Sequence, residues 1–446
     1  MILDKNAFGV RGFFAERAFK ATFRREGQEA TRDLVRSGFV GKDVSVYIHF
    51  PFCTGLCPAC PYVRYIQKPS LMESYCNSLI EEVGMYGRLL KDLELRITDI
   101  HVGGGTPSLP DPVFYKRVLE ALGEWFDLCK GLSFGIEANP EDLTEDKVFK
   151  LREAGVNELS IGVQSFFREN LRTLGRRHSV EDSIDAIENV EKTGFENVNL
   201  DMMYMIPRQT VESWVEDLEL AAEYKPSQIT TYPLLIVPYR PMYSLMRRGR
   251  VPEQPSMREF KQMYYSAVDR LDDHGYKPVR YYSFSRSPWE YSTVEREMVG
   301  PLLAFGAGAM GFPGRCEYVN TCSVREYVKS IARGMLPIAG IRPVSKEERG
   351  IRWIAERLSA LKLEFEDFER EFGEKFREFT RRTGFSRALT MQRLMGHLKF
   401  YKDRIELTRK GLFGRNLSGW HFVLSVPCRI VEEYLRTPWP REVTVP

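Results

Sequence analysis

Residues 44–62 read VSVYIHFPFCTGLCPACPY, and this stretch decides the fold. Apolar and polar residues alternate over 44–49, which predicts a strand. Pro51 ends it, because proline has no N–H to give to a ladder. Three cysteines follow, Cys53, Cys57 and Cys60, spaced C-x₃-C-x₂-C. They are expected on a loop at the C-terminal end of a strand, where parallel α/β folds place their sites. A structural zinc takes four ligands, usually as two separated pairs. Only His49 is near enough in sequence to be a local fourth, and Cys76 falls in a predicted helix. A disulfide would leave one thiol over. An iron–sulfur cluster on three thiolates keeps one iron open for a ligand. The cysteines by themselves leave cluster, zinc and chance spacing standing.

Outward from this stretch, strand and helix patterns alternate. Strands are predicted at 44–49, 97–103, 132–138, 158–163, 197–202 and 228–234. Amphipathic helices are predicted at 71–90, 112–126, 145–154, 180–193 and 210–224. Thr144 precedes an acidic first turn, and Gly155 and Gly194 sit just past helix ends. Such alternation implies parallel strands joined by right-handed crossovers. It does not choose between an open barrel and a doubly wound sheet.

Four segments follow from the patterning. Residues 1–43 form a basic, Phe- and Arg-rich extension, with one or two helices predicted over 15–34, as a cover or a gating arm. Residues 44–238 are the α/β core. Residues 239–342 hold a Tyr- and Arg-rich run, a helical stretch at 257–274 and LLAFGAGAMGF at 302–312, and are expected to extend the core and cover its open side. Residues 343–446 are mostly helical and charged, with a hairpin predicted at 400–411 in a winged-helix-like unit. The mixed charge of that unit argues for packing and substrate covering rather than DNA binding.

The whole chain has 446 residues, 43% hydrophobic and 28% charged, an ordinary globular composition. A net charge of +3 argues against a dedicated nucleic-acid partner. No apolar run approaches the roughly 18 residues of a membrane span, and the first residues lack a secretory pattern. Eight cysteines, three of them in one motif, suit a reducing cytosol, so a cytoplasmic location is expected.

The C-x₃-C-x₂-C spacing resembles the signature of the radical SAM superfamily. YIHFPFC, GGGTPS, IEANP and GVQSF, in order along the chain, resemble its oxygen-independent coproporphyrinogen III oxidase-like branch, which includes class C radical SAM methyltransferases. The resemblance implies a three-quarter (β/α)₆ barrel. It implies a [4Fe–4S] cluster on Cys53, Cys57 and Cys60, and one or two molecules of S-adenosylmethionine (SAM). Reductive cleavage of SAM would give a 5′-deoxyadenosyl radical, with an electron from a donor such as flavodoxin or ferredoxin. Carried over residue by residue, the SAM contacts would be Tyr47, Gly103, Gly104, Gly105, Thr106, Glu137, Gln164, Arg176 and Asp201. The residue types agree: glycines admit close approach, carboxylates and amides suit ribose hydroxyls and amino groups, and a guanidinium suits a carboxylate. Singly, each is an ordinary turn, cap or solvated polar residue.

Departures from the pattern bear on the reaction. Ala59 stands where the branch usually has an aromatic residue, and Tyr62 where the oxidases have a further cysteine. The stretch 292–300 lacks the histidine of the haem chaperones, and Met310 stands where they continue with histidine. Tyr232, Tyr239, Tyr243, Tyr281, Tyr282, Arg240, Arg280 and Arg286 are candidate substrate contacts, while Cys316 and Cys322 read as chance neighbours. The first reading is methylation of an sp² carbon of an aromatic or quinone small molecule, such as menaquinone. The alternative is coproporphyrinogen III oxidation, with a tetrapyrrole substrate, and haem carriage comes third.

Overall fold

A computed structural model describes residues 21–287, 289, 291 and 299–445. Six core strands are β1 (Asp43–Phe50), β2 (Arg96–Gly104), β3 (Asp127–Ala138), β4 (Glu158–Gln164), β5 (Asn197–Tyr204) and β6 (Gln228–Pro233). Neighbours pair in parallel from β1 through β6. Helices α1 (Pro69–Leu90), α2 (Val113–Trp125), α3 (Glu145–Glu153), α4 (Arg168–Leu174), α5 (Val180–Lys192) and α6 (Val211–Glu223) lie between them in the chain. The periodicity anticipated five of these, whereas the seven-residue α4 is too short to show a repeat.

Local chemistry sets the element ends. Ser179 caps α5 and Thr210 caps α6, each in a reciprocal capping box. Gly175, at φ +68°, closes α4 in the left-handed region where a side chain is costly. The strands are apolar on the face that meets the helices, and β4 is buried at every position. That is the pattern of a parallel sheet covered by helices.

Three further strands lengthen the sheet: β7 (Lys277–Pro278), β8 (Ser283–Ser285) and β9 (Leu302–Phe305). β8 pairs antiparallel with β6, and β9 pairs parallel with β1. The order is β7-β8-β6-β5-β4-β3-β2-β1-β9. The outer strands β7 and β9 do not pair with each other among the described residues, so the barrel stays open.

Beyond the barrel, segments from near the two ends of the described residues meet in one five-stranded sheet. Its order is Met310–Gly311, Cys316–Asn320, Ile338–Pro343, Ala21–Arg24 and Glu442–Val445. Part of the helix expected over 15–34 is therefore strand. Ala21 and Phe23 are buried while Arg24 is exposed, a period of two that pairs with Glu442–Val445. The helix begins only at Gln28 and runs to Gly38, and residues 15–20 lie outside the described residues. The C-terminal region is mostly helical around an aromatic core of Trp353, Phe365, Phe368, Phe372, Phe376 and Phe379. Its small sheet joins Lys362–Glu364 to the hairpin Leu398–Phe400 and Arg404–Leu407. Cys316 and Cys322 are buried core thiols.

Candidate functional site

The cysteine loop leaves β1 at Phe50 and is fastened at almost every peptide. Arg177 Nη1 donates to the Thr54 carbonyl at 2.9 Å. Arg64 Nη2 donates to the carbonyls of Cys57 (2.5 Å) and Cys60 (3.4 Å). The Met242 N–H reaches Pro58 O at 3.1 Å, and Tyr239 Oη donates to Pro61 O at 2.9 Å. Arg240 Nη2 donates to the Tyr62 carbonyl. The Nε atoms of Arg64 and Arg240 are buried with no hydrogen-bond partner. Buried guanidinium donors beside three cysteines call for negative charge there.

The loop opens into a cavity of about 380 Å³ at the C-terminal end of the strands, a size usual for small-molecule sites. Cys57, Cys60, Gly104, Gly105, Thr106, Glu137, Gln164, Arg176 and Asp201 all line it. Cys53, Gly103 and Tyr47 stand outside the lining. Tyr47 donates its hydroxyl to His49 Nδ1 at 2.9 Å, while His49 Nε2 lies 2.9 Å from Val63 O. The carbonyl needs a proton on Nε2, so Nδ1 is the acceptor, and burial holds the ring pKa low and the imidazole neutral. Tyr47 thus braces the loop through His49 and does not line the cavity.

The glycine run has a steric reason. A Cβ on Gly105 would come within 2.7 Å of Phe52 O and 2.8 Å of Phe50 O, and one on Gly104, at φ +113°, within 2.5 Å of the His49 ring. A Cβ on Gly103 would meet Glu137 Oε1 at 2.8 Å. The Gly104 N–H donates to Glu137 Oε2 at 3.1 Å, and His101 Nε2 lies 3.6 Å from Glu137 Oε1. Burial pushes the Glu137 carboxyl up, but the His101 side chain and the Gly104 N–H outweigh it and hold the group below the usual range. Asp201 goes the other way. Burial, with the Glu137 charge nearby, raises it to about 7, despite the Asn199 amide at 2.9 Å. The cavity therefore holds one ionised carboxylate and one poised near neutrality.

Gln164 sits at φ +69°, where β4 breaks register with β5, and its Oε1 accepts from Tyr232 Oη at 2.5 Å. A non-glycine residue in that region costs on the order of 1–3 kcal/mol and persists where surroundings hold it. Arg176 Nη2 donates to Asn139 Oδ1 (2.9 Å) and Gly162 O (3.2 Å), and Nη1 lies 3.9 Å from Cys57 Sγ. Asn139 Nδ2 donates to Thr106 Oγ1 at 3.3 Å. One polar chain thus joins the cysteine loop to the ends of β2, β3 and β4.

Sequence reading missed several lining residues. Asn139 lies inside the quoted IEANP motif, and His101 shares with Gly103 and Gly105 an alternate-residue pattern along β2. Those were findable. Tyr291, Trp420 and Val423 also line the cavity, beside Tyr281 and Tyr282. They come from segments far apart in sequence, and nothing local marks them. Of the suggested substrate contacts, Tyr232, Tyr281 and Tyr282 reach the cavity. Tyr239 and Arg240 grip the loop, Arg280 is buried, and Arg286 Nη1 donates to Lys225 O.

The residues fit an iron–sulfur cluster. Burial raises Cys53 to about 11 and raises Cys60 as well, with Thr106 opposing it at the first and Arg64 at the second. Such thiols need a metal to ionise them, and metal binding does so. Among the described residues no three His, Cys, Asp or Glu side chains close around a single-ion point.

The family model for the radical SAM superfamily matches residues 47–221. The chain is 31% identical over 312 residues to the haem chaperone HemW of Bacillus subtilis, covering 68% of this chain and 80% of that protein. It is 26% identical over 356 residues to the oxygen-independent coproporphyrinogen III oxidase of Pseudomonas aeruginosa, covering 76% and 77%. The solved coproporphyrinogen III oxidase of Escherichia coli superposes with a TM-score of 0.75 at 23% identity, over 90% of this chain and 94% of that one. That last likeness is one of fold, and it extends through the C-terminal region. With the cysteine loop, the glycine cradle and the open barrel in place, these relationships show that the chain belongs to the radical SAM superfamily, in its coproporphyrinogen III oxidase-like branch.

Proposed function

We propose that this radical SAM enzyme acts on a cyclic tetrapyrrole, of the kind that oxygen-independent coproporphyrinogen III oxidase takes. The observation that carries this reading is that one cavity holds both walls of the site. Its inner wall is the cysteine loop, the glycine cradle, Glu137, Arg176 and Asp201; its outer wall is Tyr62, Tyr232, Tyr281, Tyr282, Tyr291 and Trp420. When bound at Cys53, Cys57 and Cys60, a [4Fe–4S] cluster supplies the electron that cleaves SAM. The chain's own residues then have three tasks. Arg64, Arg177, Arg240 and Tyr239 hold the loop in its ligating shape. Gly103, Gly104, Gly105 and Thr106 admit SAM against the end of β2, with Arg176 for its carboxylate and Glu137, Gln164 and Asp201 for amino and hydroxyl groups. Apolar walls from Leu174, Met203, Leu234 and Leu235 keep water from the reacting carbon.

This reading replaces methylation of a quinone or other aromatic ring. The relatives that match over most of the chain are a haem chaperone and a coproporphyrinogen oxidase. The features that suggested methylation, Ala59 and the tyrosines, suit a macrocycle equally. The experiment is anaerobic: reconstituted enzyme, reductant, SAM and coproporphyrinogen III, following 5′-deoxyadenosine, S-adenosylhomocysteine and substrate mass. Deoxyadenosine with loss of carbon dioxide supports the proposal. SAM cleavage with no change in the mass of coproporphyrinogen III refutes it. In Arg176→Ala, SAM use should weaken while iron content holds, and unchanged SAM kinetics would remove Arg176 from the proposed site.

A further inference from the structure

The outer half of the cavity is built by a part of the chain that carries none of the recognised motifs. The helix Arg409–Ser425 packs Gly419 directly against the Tyr281 ring, where any Cβ would collide with the hydroxyl. That close approach brings Trp420 to the cavity wall. Its ring centroid lies 5.8 Å from Tyr282 and 6.3 Å from Tyr281, and those two rings are 4.7 Å apart. Trp420 is half-buried and held in orientation: its Nε1 donates to Asn416 Oδ1 at 2.8 Å, and Asn416 Nδ2 donates to Tyr204 Oη at 3.0 Å. Asn416 is fully buried, so the indole is aimed from within the fold.

The polar groups below this wall are already engaged with one another. Thr230 Oγ1 donates to Asn199 Oδ1 at 2.9 Å, Gln228 Nε2 reaches Asn199 Oδ1 and Thr230 Oγ1 at 3.2 Å each, and the Tyr291 N–H donates to Gln228 Oε1 at 3.1 Å. Arg176, the cationic side chain at the inner wall, is bound to Asn139 and Gly162. A ligand in the outer half therefore meets ring faces before it meets charges. Aromatic side chains held by buried hydrogen bonds make low-entropy platforms for flat ligands.

We propose that Trp420, with Tyr281 and Tyr282, is the substrate-recognition wall, and that Trp420 determines specificity by stacking on the face of a pyrrole ring of the macrocycle. The C-terminal region is then part of the substrate site and not only a cover. The inference rests on the tetrapyrrole reading above.

The test titrates coproporphyrin III, a stable planar probe, into the reconstituted enzyme, reading porphyrin absorbance and fluorescence. SAM binding is measured in parallel by equilibrium dialysis. Trp420→Ala should weaken porphyrin binding about tenfold, equivalent to ~1.4 kcal/mol, and leave SAM binding unchanged. Trp420→Phe should keep most of the affinity, since it keeps a ring. Asn416→Ala should fall between them, because the indole remains but loses its anchor. If Trp420→Ala loses its iron or fails to fold, Trp420→Phe and Asn416→Ala decide by the same criterion. Wild-type affinity in Trp420→Ala, or in Asn416→Ala where that variant has to decide, overturns the recognition wall while leaving the tetrapyrrole reading intact. No porphyrin binding by the wild type overturns the wall, and no turnover of coproporphyrinogen III in the assay above overturns the tetrapyrrole reading and the wall with it.

Discussion

Glu82 offers a test of how the cysteine strand is supported from behind. It lies in α1 and is fully buried. Its Oε2 accepts from the Gly306 N–H (2.8 Å) and Tyr327 Oη (2.6 Å), and its Oε1 accepts from Asn320 Nδ2 (3.0 Å). The glycine turn it holds lies against the end of β1, where a Cβ on Gly306 would approach His49 O to 2.5 Å. Tyr75 completes the support, donating to His49 O at 2.6 Å and accepting from the Ala307 N–H at 2.9 Å. Burial raises the Glu82 carboxyl from 4.5 to about 7, against the pull of its three donors. A folded-state value above the unfolded one contributes stability that is complete below pH 4.5 and is lost as pH rises through 7. At 1.36 kcal/mol per unit, that swing is on the order of 3 kcal/mol.

Glu82→Gln removes the titration but points an amide N–H₂ at one of three donors. The mismatch should cost about 1–3 kcal/mol at pH 5, where the native carboxyl is largely protonated. At pH 8 the wild type bears the cost of a buried charge and the variant does not. The stability gap should therefore narrow by up to ~3 kcal/mol between the two pH values. Urea denaturation of cluster-free protein, followed by tryptophan fluorescence, measures both gaps without cofactor loss intruding. An identical gap at pH 5 and pH 8 would show that Glu82 does not titrate in this window, and the argument from burial would fall.

Three further outcomes are expected. Alanine at Cys53, Cys57 or Cys60 should abolish the cluster's optical and EPR signals together with all SAM cleavage; intact turnover in any one would end the cluster assignment. Arg64→Met removes a buried positive charge from the loop, so at a fixed potential the ratio of reduced to oxidised cluster should fall about tenfold, ~59 mV for one electron; an unchanged midpoint in a redox titration would show that Arg64 only shapes the loop. Gly105→Ala forces a methyl toward the Phe50 and Phe52 carbonyls, and SAM affinity should drop by at least tenfold with iron content preserved; equal SAM affinity by dialysis would refute the cradle.

Much of the core was legible because its signals are local. The strands at 97–103 and 158–163 appear as β2 and β4, each within a residue of its expected bounds, because alternate positions, Ile100 and Val102 in one and Leu159, Ile161 and Val163 in the other, are apolar and buried. The helix predicted over 180–193 ends as expected because Ser179 and Asp182 close its first turn. Cys57, Cys60, Gly104, Gly105, Thr106, Glu137, Gln164, Arg176 and Asp201 line one cavity for a related reason: nearly all lie at or just past the end of a strand, and the strand ends converge. Tyr47 shares the inward face with its register partner His101, but its hydroxyl is taken by His49 and it stands outside the lining. The helix expected over part of 15–34 failed because Ala21–Arg24 has no partner within its own segment; its partners are Glu442–Val445 and Ile338–Pro343.

By itself the amino-acid sequence determined the alternation of strands and helices, the cysteine loop and the half of the site nearest to it, because period, caps and spacing act over a few residues. Only the tertiary structure decided the rest. It closed one sheet from segments near the two ends of the described residues, set Arg64 and Arg240 against the loop, and raised Asp201 while lowering Glu137. It also brought Trp420 to Tyr281 from a helix, RKGLFGRNLSGWHFVLS, whose mixed residues announce no face. Burial and charge pairing depend on what lies across the cavity, and that is settled by packing between strands and helices that local sequence signals do not bring together.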